Sequence, residues 1–307
     1  MKIVHNYREI EESATAVALG TFDGVHVGHA MLIQSLKNRP SGLPVVVYTF
    51  NNIPASYFGA DVKKLSTFEE KMERLEKLGV DYVYTVDFNN AVANESQSYF
   101  CDFLRDCVHA KMIAAGFNHS FGKGAAGNGS YLEQYGRENG IDVVIVDPVL
   151  YDGEPVSSTR IRRELLEGRP EAAKAMLGRP YELSGTVTQG KRLGRKLGFP
   201  TVNFYIEEGK LCPKKGVYGT IATLFGKEYY AVTNVGTRPT VDDGNRVNVE
   251  TNVIGFTKDA YGERVKLKIE LWQRPERRFG SVEELRRQLA QYKSELLAKL
   301  QEHAPIL

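Results

Sequence analysis

A short apolar run at 16–19 passes without a break into Gly20-Thr21-Phe22-Asp23-Gly24-Val25-His26-Val27-Gly28-His29, which is followed by the helix-like Ala30-Met31-Leu32-Ile33-Gln34-Ser35-Leu36. No other stretch limits the fold so narrowly. The run reads as a buried strand, so the glycines and histidines fall on a strand-to-helix turn. Gly20, Gly24 and Gly28 suit a backbone that approaches a ligand closely or takes φ > 0. Asp23 is the expected N-cap, and His26 and His29 share one face of the first helical turn. Free N–H groups and the positive end of the helix dipole point the same way, which makes an anion site. Two imidazoles there suit a phosphate whose charge rises during reaction. A plain turn is one alternative. Zinc is another, although no third ligand lies nearby in the sequence. The spacing is not the G-x-G-x-x-G of a dinucleotide fingerprint.

The rest of the first half alternates strands with helices. Residues 44–50, 81–86, 111–115 and 142–146 read as strands, and 67–79, 98–108 and 131–139 as helices, the first of them opened by a Thr67…Glu70 capping box. That alternation implies a mostly parallel sheet covered on both faces, with ligands beyond the strand C-terminal ends. A second glycine-rich loop, 116–124, falls at such an end and carries two cation candidates, His119 and Lys123. A mobile surface loop is the competing reading. Val156-Ser157-Ser158-Thr159-Arg160-Ile161-Arg162 opens another helix, offering N–H and hydroxyl donors to an anion and a forked contact from Arg162. Ordinary N-capping with surface arginines would look the same.

Near 178–181 the pattern changes to strands separated by turns, so two domains are expected, 1–178 and 179–307. Gly190-Lys191-Arg192-Leu193-Gly194-Arg195-Lys196-Leu197-Gly198-Phe199-Pro200-Thr201-Val202-Asn203 interleaves cations with glycines, which suits a phosphate-cradling flap or, more plainly, a basic loop. Strands at 183–188, 216–222, 229–233, 247–254 and 265–271 fit a small antiparallel barrel. Along 247–253 the valines and Thr251 share one face and Asn248, Glu250 and Asn252 the other, which a solvated edge would also explain. A long helix is expected over 281–302, with Leu285, Leu289, Tyr292, Leu296 and Leu300 as its buried stripe.

These motifs resemble those of bacterial bifunctional riboflavin kinase/FAD synthetases, and the resemblance covers almost the whole chain. G-x-F-D-G-x-H-x-G-H (Gly20, Phe22, Asp23, His26, Gly28, His29) and S-S-T-x-I-R (Ser158, Thr159, Arg162) resemble the two nucleotidylyltransferase signatures; 116–122, with Asn118, is similar to a loop near the nucleotide. G-x-x-x-G-R-x-L-G-F-P-T-x-N (Gly190, Gly194, Arg195, Gly198, Pro200, Thr201, Asn203) and N-x-G-x-R-P-T (Asn234, Arg238) resemble riboflavin kinase motifs. The resemblance implies a Rossmann-like α/β nucleotidylyltransferase domain followed by a β-barrel kinase domain. It also implies Glu250 as catalytic base, Thr201 and Asn203 as Mg²⁺ and phosphate ligands, and ATP, riboflavin, FMN and FAD as substrates or products. One departure stands out. Where the family has T-F-x-P-H-P, this chain has Thr49-Phe50-Asn51-Asn52-Ile53-Pro54, so an imidazole near the flavin-phosphate side is missing. Tyr292 also stands where the family often has Asp.

Composition bounds the partners. A net charge of +2 without a polybasic tail gives no reason to expect nucleic acid. No apolar run is long enough to span a bilayer, and the N-terminus lacks a signal-peptide core. Cys101, Cys107 and Cys212 have no C-x-x-C spacing and suit a reducing compartment. The expectation is a cytoplasmic enzyme, monomeric or weakly self-associating, that phosphorylates riboflavin to FMN and adenylylates FMN to FAD. The rivals are a kinase with an impaired or retargeted first domain, and a flavin-binding regulator without turnover.

Overall fold

Neighbours along a strand face opposite sides of its sheet, and along 45–48 both sides are apolar. In the computed structural model, which describes residues 1–188, 201–237, 247–277, 287, 291, 295–302 and 304, packing divides the chain into units 1–158 and 159–307. The first unit holds a parallel sheet of β1 (Lys2–Val4), β2 (Thr15–Leu19), β3 (Val45–Phe50), β4 (Tyr82–Val86), β5 (Ala110–Gly116) and β6 (Asp142–Val146), in the order β1-β4-β3-β2-β5-β6. Its helices are α1 (Val27–Lys37), α2 (Pro54–Tyr57), α3 (Phe68–Lys77), α4 (Asn90–Ala93), α5 (Gln97–Asp106) and α6 (Gly129–Asn139). Ala16, Ala18, Val45 and Val47 pack on one face with Leu32, Ile33 and Leu36 of α1 and Leu75 of α3. Val17, Leu19, Val46 and Tyr48 pack on the other with Phe100 and Leu104 of α5 and Leu132 of α6. Burial on both faces explains why these strands are continuous apolar runs.

The expected capping box is present: Glu70 N–H donates to Thr67 Oγ1 (3.2 Å) and Thr67 N–H to Glu70 Oε2 (3.0 Å). A small hairpin, β7 (Leu150–Tyr151) and β8 (Glu154–Pro155), precedes α7 (Ser158–Glu167), which begins at the last residue of the first unit.

In the second unit α8 (Pro170–Leu177) ends at Gly178 in the left-handed region. Its Lys174 pairs at 2.7 Å with the buried carboxylate of Glu270, and Lys214 N–H donates to Leu165 O of α7 (2.9 Å). Both helices therefore pack with the strands that follow them, although the change of sequence pattern comes later, near 178. Those strands are β9 (Tyr181–Thr186), β10 (Thr201–Tyr205), β11 (Gly216–Leu224), β12 (Lys227–Thr237), β13 (Val247–Val253) and β14 (Arg264–Arg274). They pair antiparallel in the order β10-β13-β12-β11-β14-β9. Just past β9, Thr188 N–H donates to Asn203 O (2.7 Å), a bridge that joins the two end strands as a small barrel requires.

Inside this sheet Thr220, Thr233 and Thr251 are fully buried, and their hydroxyls bond in a chain (2.7 and 3.0 Å), so the threonine expected among the valines is satisfied there. β10, read from sequence as the tail of a phosphate flap, is a strand. Most of the expected helix at 281–302, including Tyr292, lies outside the described residues; 295–302 is helical, with Leu296 and Leu300 buried.

Candidate active sites

The turn after β2 strains the backbone. Phe22 (φ 50°) and Val25 (φ 39°) flank Gly24 (φ 79°), and two non-glycine residues in the left-handed region, one of them β-branched, are held only where the surroundings fix them. Those surroundings are explicit. Asp23, expected as the N-cap, is instead a buried brace: its carboxylate accepts the N–H groups of Leu65 (3.0 Å) and Ser66 (3.4 Å). Ser66 Oγ accepts Gly24 N–H (3.2 Å), and the Phe22 ring is fully buried. Beneath the turn the ammonium of Lys71 donates to Phe50 O (2.8 Å), Thr49 Oγ1 (3.2 Å) and Thr21 O (3.4 Å). Burial pulls that ammonium down to about 8, against the opposing pull of Asp23.

The N-cap of α1 is His26, whose Nδ1 accepts the N–H of His29 (3.3 Å). The two imidazoles stack with centroids 3.6 Å apart and planes 16° from parallel. At Gly28 an added Cβ would lie 3.2 Å from the His26 ring, so a side chain there would push on the stack. His26, His29, Gly20 and Gly28 all line a cavity of about 700 Å³ beyond the C-terminal ends of the parallel strands, where such sheets bind ligands. Phe22 and Asp23 shape the turn without lining that cavity. Ser157 and Ser158 also line it, and Ser158 Oγ donates to Asp23 O (2.9 Å), tying the second serine-rich motif to the first turn. Thr159 and Arg162 follow on α7, in the second unit.

The loop at 116–124 is tied to its surroundings by backbone hydrogen bonds. Phe121 and Gly127 exchange backbone hydrogen bonds (3.0 and 2.9 Å), and Lys123 N–H donates to Glu95 O. Asn118 and His119 line the cavity. His119 is not the cation expected from sequence: burial pushes its imidazole down to about 4, and it stacks on Phe121 as a neutral ring.

Aromatic rings also line the cavity. Tyr48, Phe50, Phe58, Phe88 and Phe100 line it beside Glu95, whose carboxyl burial pushes upward. Sequence reading missed this wall, because its rings come from β3, the residue after α2, the segment between β4 and α4, and α5, and each alone reads as core.

In the second unit the expected residues come together across three strands. Asn203 of β10 lies opposite Glu250 of β13, and Glu250 opposite Asn234 of β12. Thr201 Oγ1 donates to Glu250 Oε1 (3.0 Å), and Asn203 Nδ2 to Thr201 Oγ1 (3.4 Å). Asn234 Nδ2 donates to Glu276 Oε1 (3.1 Å), a second carboxylate beside the row that sequence reading did not find. Gly190, Gly194, Arg195, Gly198, Pro200 and Arg238 lie outside the described residues. Among the described residues no cluster of three or more His, Cys, Asp or Glu forms a metal site. Thr201 and Asn203 nonetheless fit Mg²⁺, since their side chains offer hard oxygen donors and this ion takes the rest of its shell from substrate phosphates and waters. No helix among the described residues is long and apolar enough to cross a membrane.

Comparison with known proteins finds relatives of both halves of the chain. A family model described as FAD synthetase matches residues 8–160, and one described as riboflavin kinase matches 177–300. The bifunctional riboflavin kinase/FMN adenylyltransferase of Listeria monocytogenes is 36% identical over 89% of this chain and 88% of its own. The Escherichia coli protein of the same name is 34% identical over 96% and 95%. A crystal structure from Streptococcus pneumoniae, described as a macrolide-efflux protein, is 30% identical with a TM-score of 0.88, covering 96% of this chain and 98% of that one. The chain belongs to the bifunctional riboflavin kinase/FMN adenylyltransferase family.

Proposed function

We propose that the two constellations divide the two reactions of this family between them. The chain makes FMN from riboflavin and ATP, and FAD from FMN and ATP with release of pyrophosphate. Domain 179–307 performs the first step and domain 1–178 the second, with α7 belonging to the first domain by its motif and to the second unit by its packing.

The observation that carries the kinase assignment is the row Asn203–Glu250–Asn234. A riboflavin 5′-hydroxyl is a poor nucleophile, and a positioned carboxylate that takes its proton contributes about 10²–10⁴-fold. Glu250 is that base, and its bond from Thr201 Oγ1 fixes its orientation. Thr201 and Asn203 would hold Mg²⁺, which when bound offsets the charge of the transferred phosphoryl group.

The first site needs no base, because the second pKa of a phosphate monoester is about 6 and FMN arrives as a nucleophile. His26 and His29 stand at the amino end of α1, where developing charge on the ATP phosphates is stabilised. Gly20, Gly28, Asn118, Ser158, Thr159 and Arg162 complete the nucleotide contacts. The flavin ring lies on the aromatic wall of the cavity. We place the enzyme in the cytoplasm, as a monomer or weak homo-oligomer working on small molecules without nucleic acid.

Incubating the full chain with riboflavin, ATP and Mg²⁺ and separating the flavins by chromatography tests this reading. FAD is expected to accumulate. FMN without FAD would overturn the assignment of the first domain, and bound flavin without ATP consumption would overturn both.

A further inference from the structure

Asn52 occupies the position where the family motif has proline, and its side-chain amide makes two hydrogen bonds to one residue 36 positions away. Nδ2 donates to Phe88 O (2.9 Å), and Oδ1 accepts Phe88 N–H (2.8 Å). An amide side chain carries donor and acceptor side by side, so it satisfies both backbone groups of Phe88 as a neighbouring strand would. The preceding residue docks the segment: Asn51 N–H donates to Val86 O (3.0 Å) and Asn51 Nδ2 to Asp87 Oδ1 (2.8 Å). The Phe88 ring is a hub, meeting Phe50 (5.3 Å between centroids), Tyr57 (5.5 Å) and Phe58 (5.8 Å) edge to face. Phe50, Phe58 and Phe88 line the cavity, whereas Asn52 does not. Phe58 is 70% exposed, so little besides this cluster holds its ring.

We propose that Asn52 is a positioning residue for the flavin: it clamps the backbone of Phe88 and thereby sets the aromatic wall against which the ring system of FMN rests. The inference builds on the reading that FMN occupies the cavity along this wall. Replacing the family's proline and imidazole thus leaves this wall held by two neutral hydrogen bonds, and recognition here runs through stacking.

The test uses the full-length chain and steady-state adenylylation of supplied FMN. Asn52→Leu keeps similar volume and removes both bonds, so KM for FMN should rise about tenfold. KM for ATP, kcat at saturating FMN and riboflavin phosphorylation should stay within about twofold. Asn52→Asp, which retains the acceptor but sets a charge against Phe88 O, should fall between. Phe88→Ala probes the underlying reading separately. If Phe88→Ala raises KM for FMN and Asn52→Leu does not, the clamp is wrong and the flavin placement stands. If Phe88→Ala leaves it unchanged, the flavin placement itself fails and takes the clamp with it. An equal loss in kcat and in both KM values for Asn52→Leu would make Asn52 a fold element only and overturn the proposal.

Discussion

The two units build their sites in opposite ways. In the first, functional groups come from turns and loops beyond the ends of parallel strands, and the strained backbone at Phe22 and Val25 is held by buried braces. In the second, Thr201, Asn203, Glu250 and Asn234 stand on the strands themselves, and antiparallel register alone aligns them. On the proposed assignment, the difference follows the chemistry. Transfer to a ready nucleophile calls for alignment and charge stabilisation by backbone and imidazole. Transfer to a hydroxyl calls for one carboxylate in a fixed place.

The largest expected effect separates the two sites. Glu250→Gln should lower riboflavin phosphorylation about 10²–10⁴-fold, with FAD formation from supplied FMN unchanged; equal loss of both would erase the division. His29→Ala should do the reverse, lowering adenylylation about 10²-fold while phosphorylation continues. An unchanged adenylylation rate would remove the stacked pair from the reaction.

Lys71→Met probes the braces under the strained turn. It should lower adenylylation and the thermal midpoint of the first unit together, since three hydrogen bonds converge on that ammonium. The charged form is disfavoured in the fold, so between about 8 and the unfolded value of about 10.4 the unfolded chain binds more protons. Wild type therefore gains stability relative to Lys71→Met as pH rises through that window.

His119 gives an effect of the same sign at acid pH. Its imidazole sits near 4 in the fold, below the unfolded value of about 6.5. Its contribution is lost as pH falls from the unfolded value toward the folded one. His119→Phe, which retains a ring against Phe121, should flatten that acid loss in a thermal-shift series from pH 7 to about 4. The smallest effect is at the α3 cap, where Thr67→Ala should cost about 1 kcal/mol in the first unit without altering either reaction.

Much of this was legible in the residues. Strand and helix limits in the first unit follow from apolar period, and the α3 cap from Thr67 and Glu70 three apart. Motif put Asn203, Asn234 and Glu250 in one candidate set, and the cross-strand register brings them side by side. What escaped depends on distant partners. Asp23 has the chemistry of an N-cap, but its carboxylate goes to backbone N–H groups 42 and 43 residues on, and a histidine takes the cap. The role of Asn52 is invisible without Phe88. His119 looked like a cation because one letter carries no information about burial. Glu276 was missed because the contact that matters runs from beyond β14 back to β12.

The row on β10, β13 and β12 has a consequence for how this protein can change. Side chains on a strand alternate, so shifting β13 by one residue would carry Glu250 to the interior and bring Thr251 or Val249 outward. A single-residue insertion or deletion in 247–250 is therefore not a graded lesion: it exchanges a carboxylate for a methyl-bearing side chain in the row between Asn203 and Asn234. Substitutions at the same strand can be sampled one at a time, but its length is constrained, because residues 248–252 of β13 are registered against β10 and β12 at once.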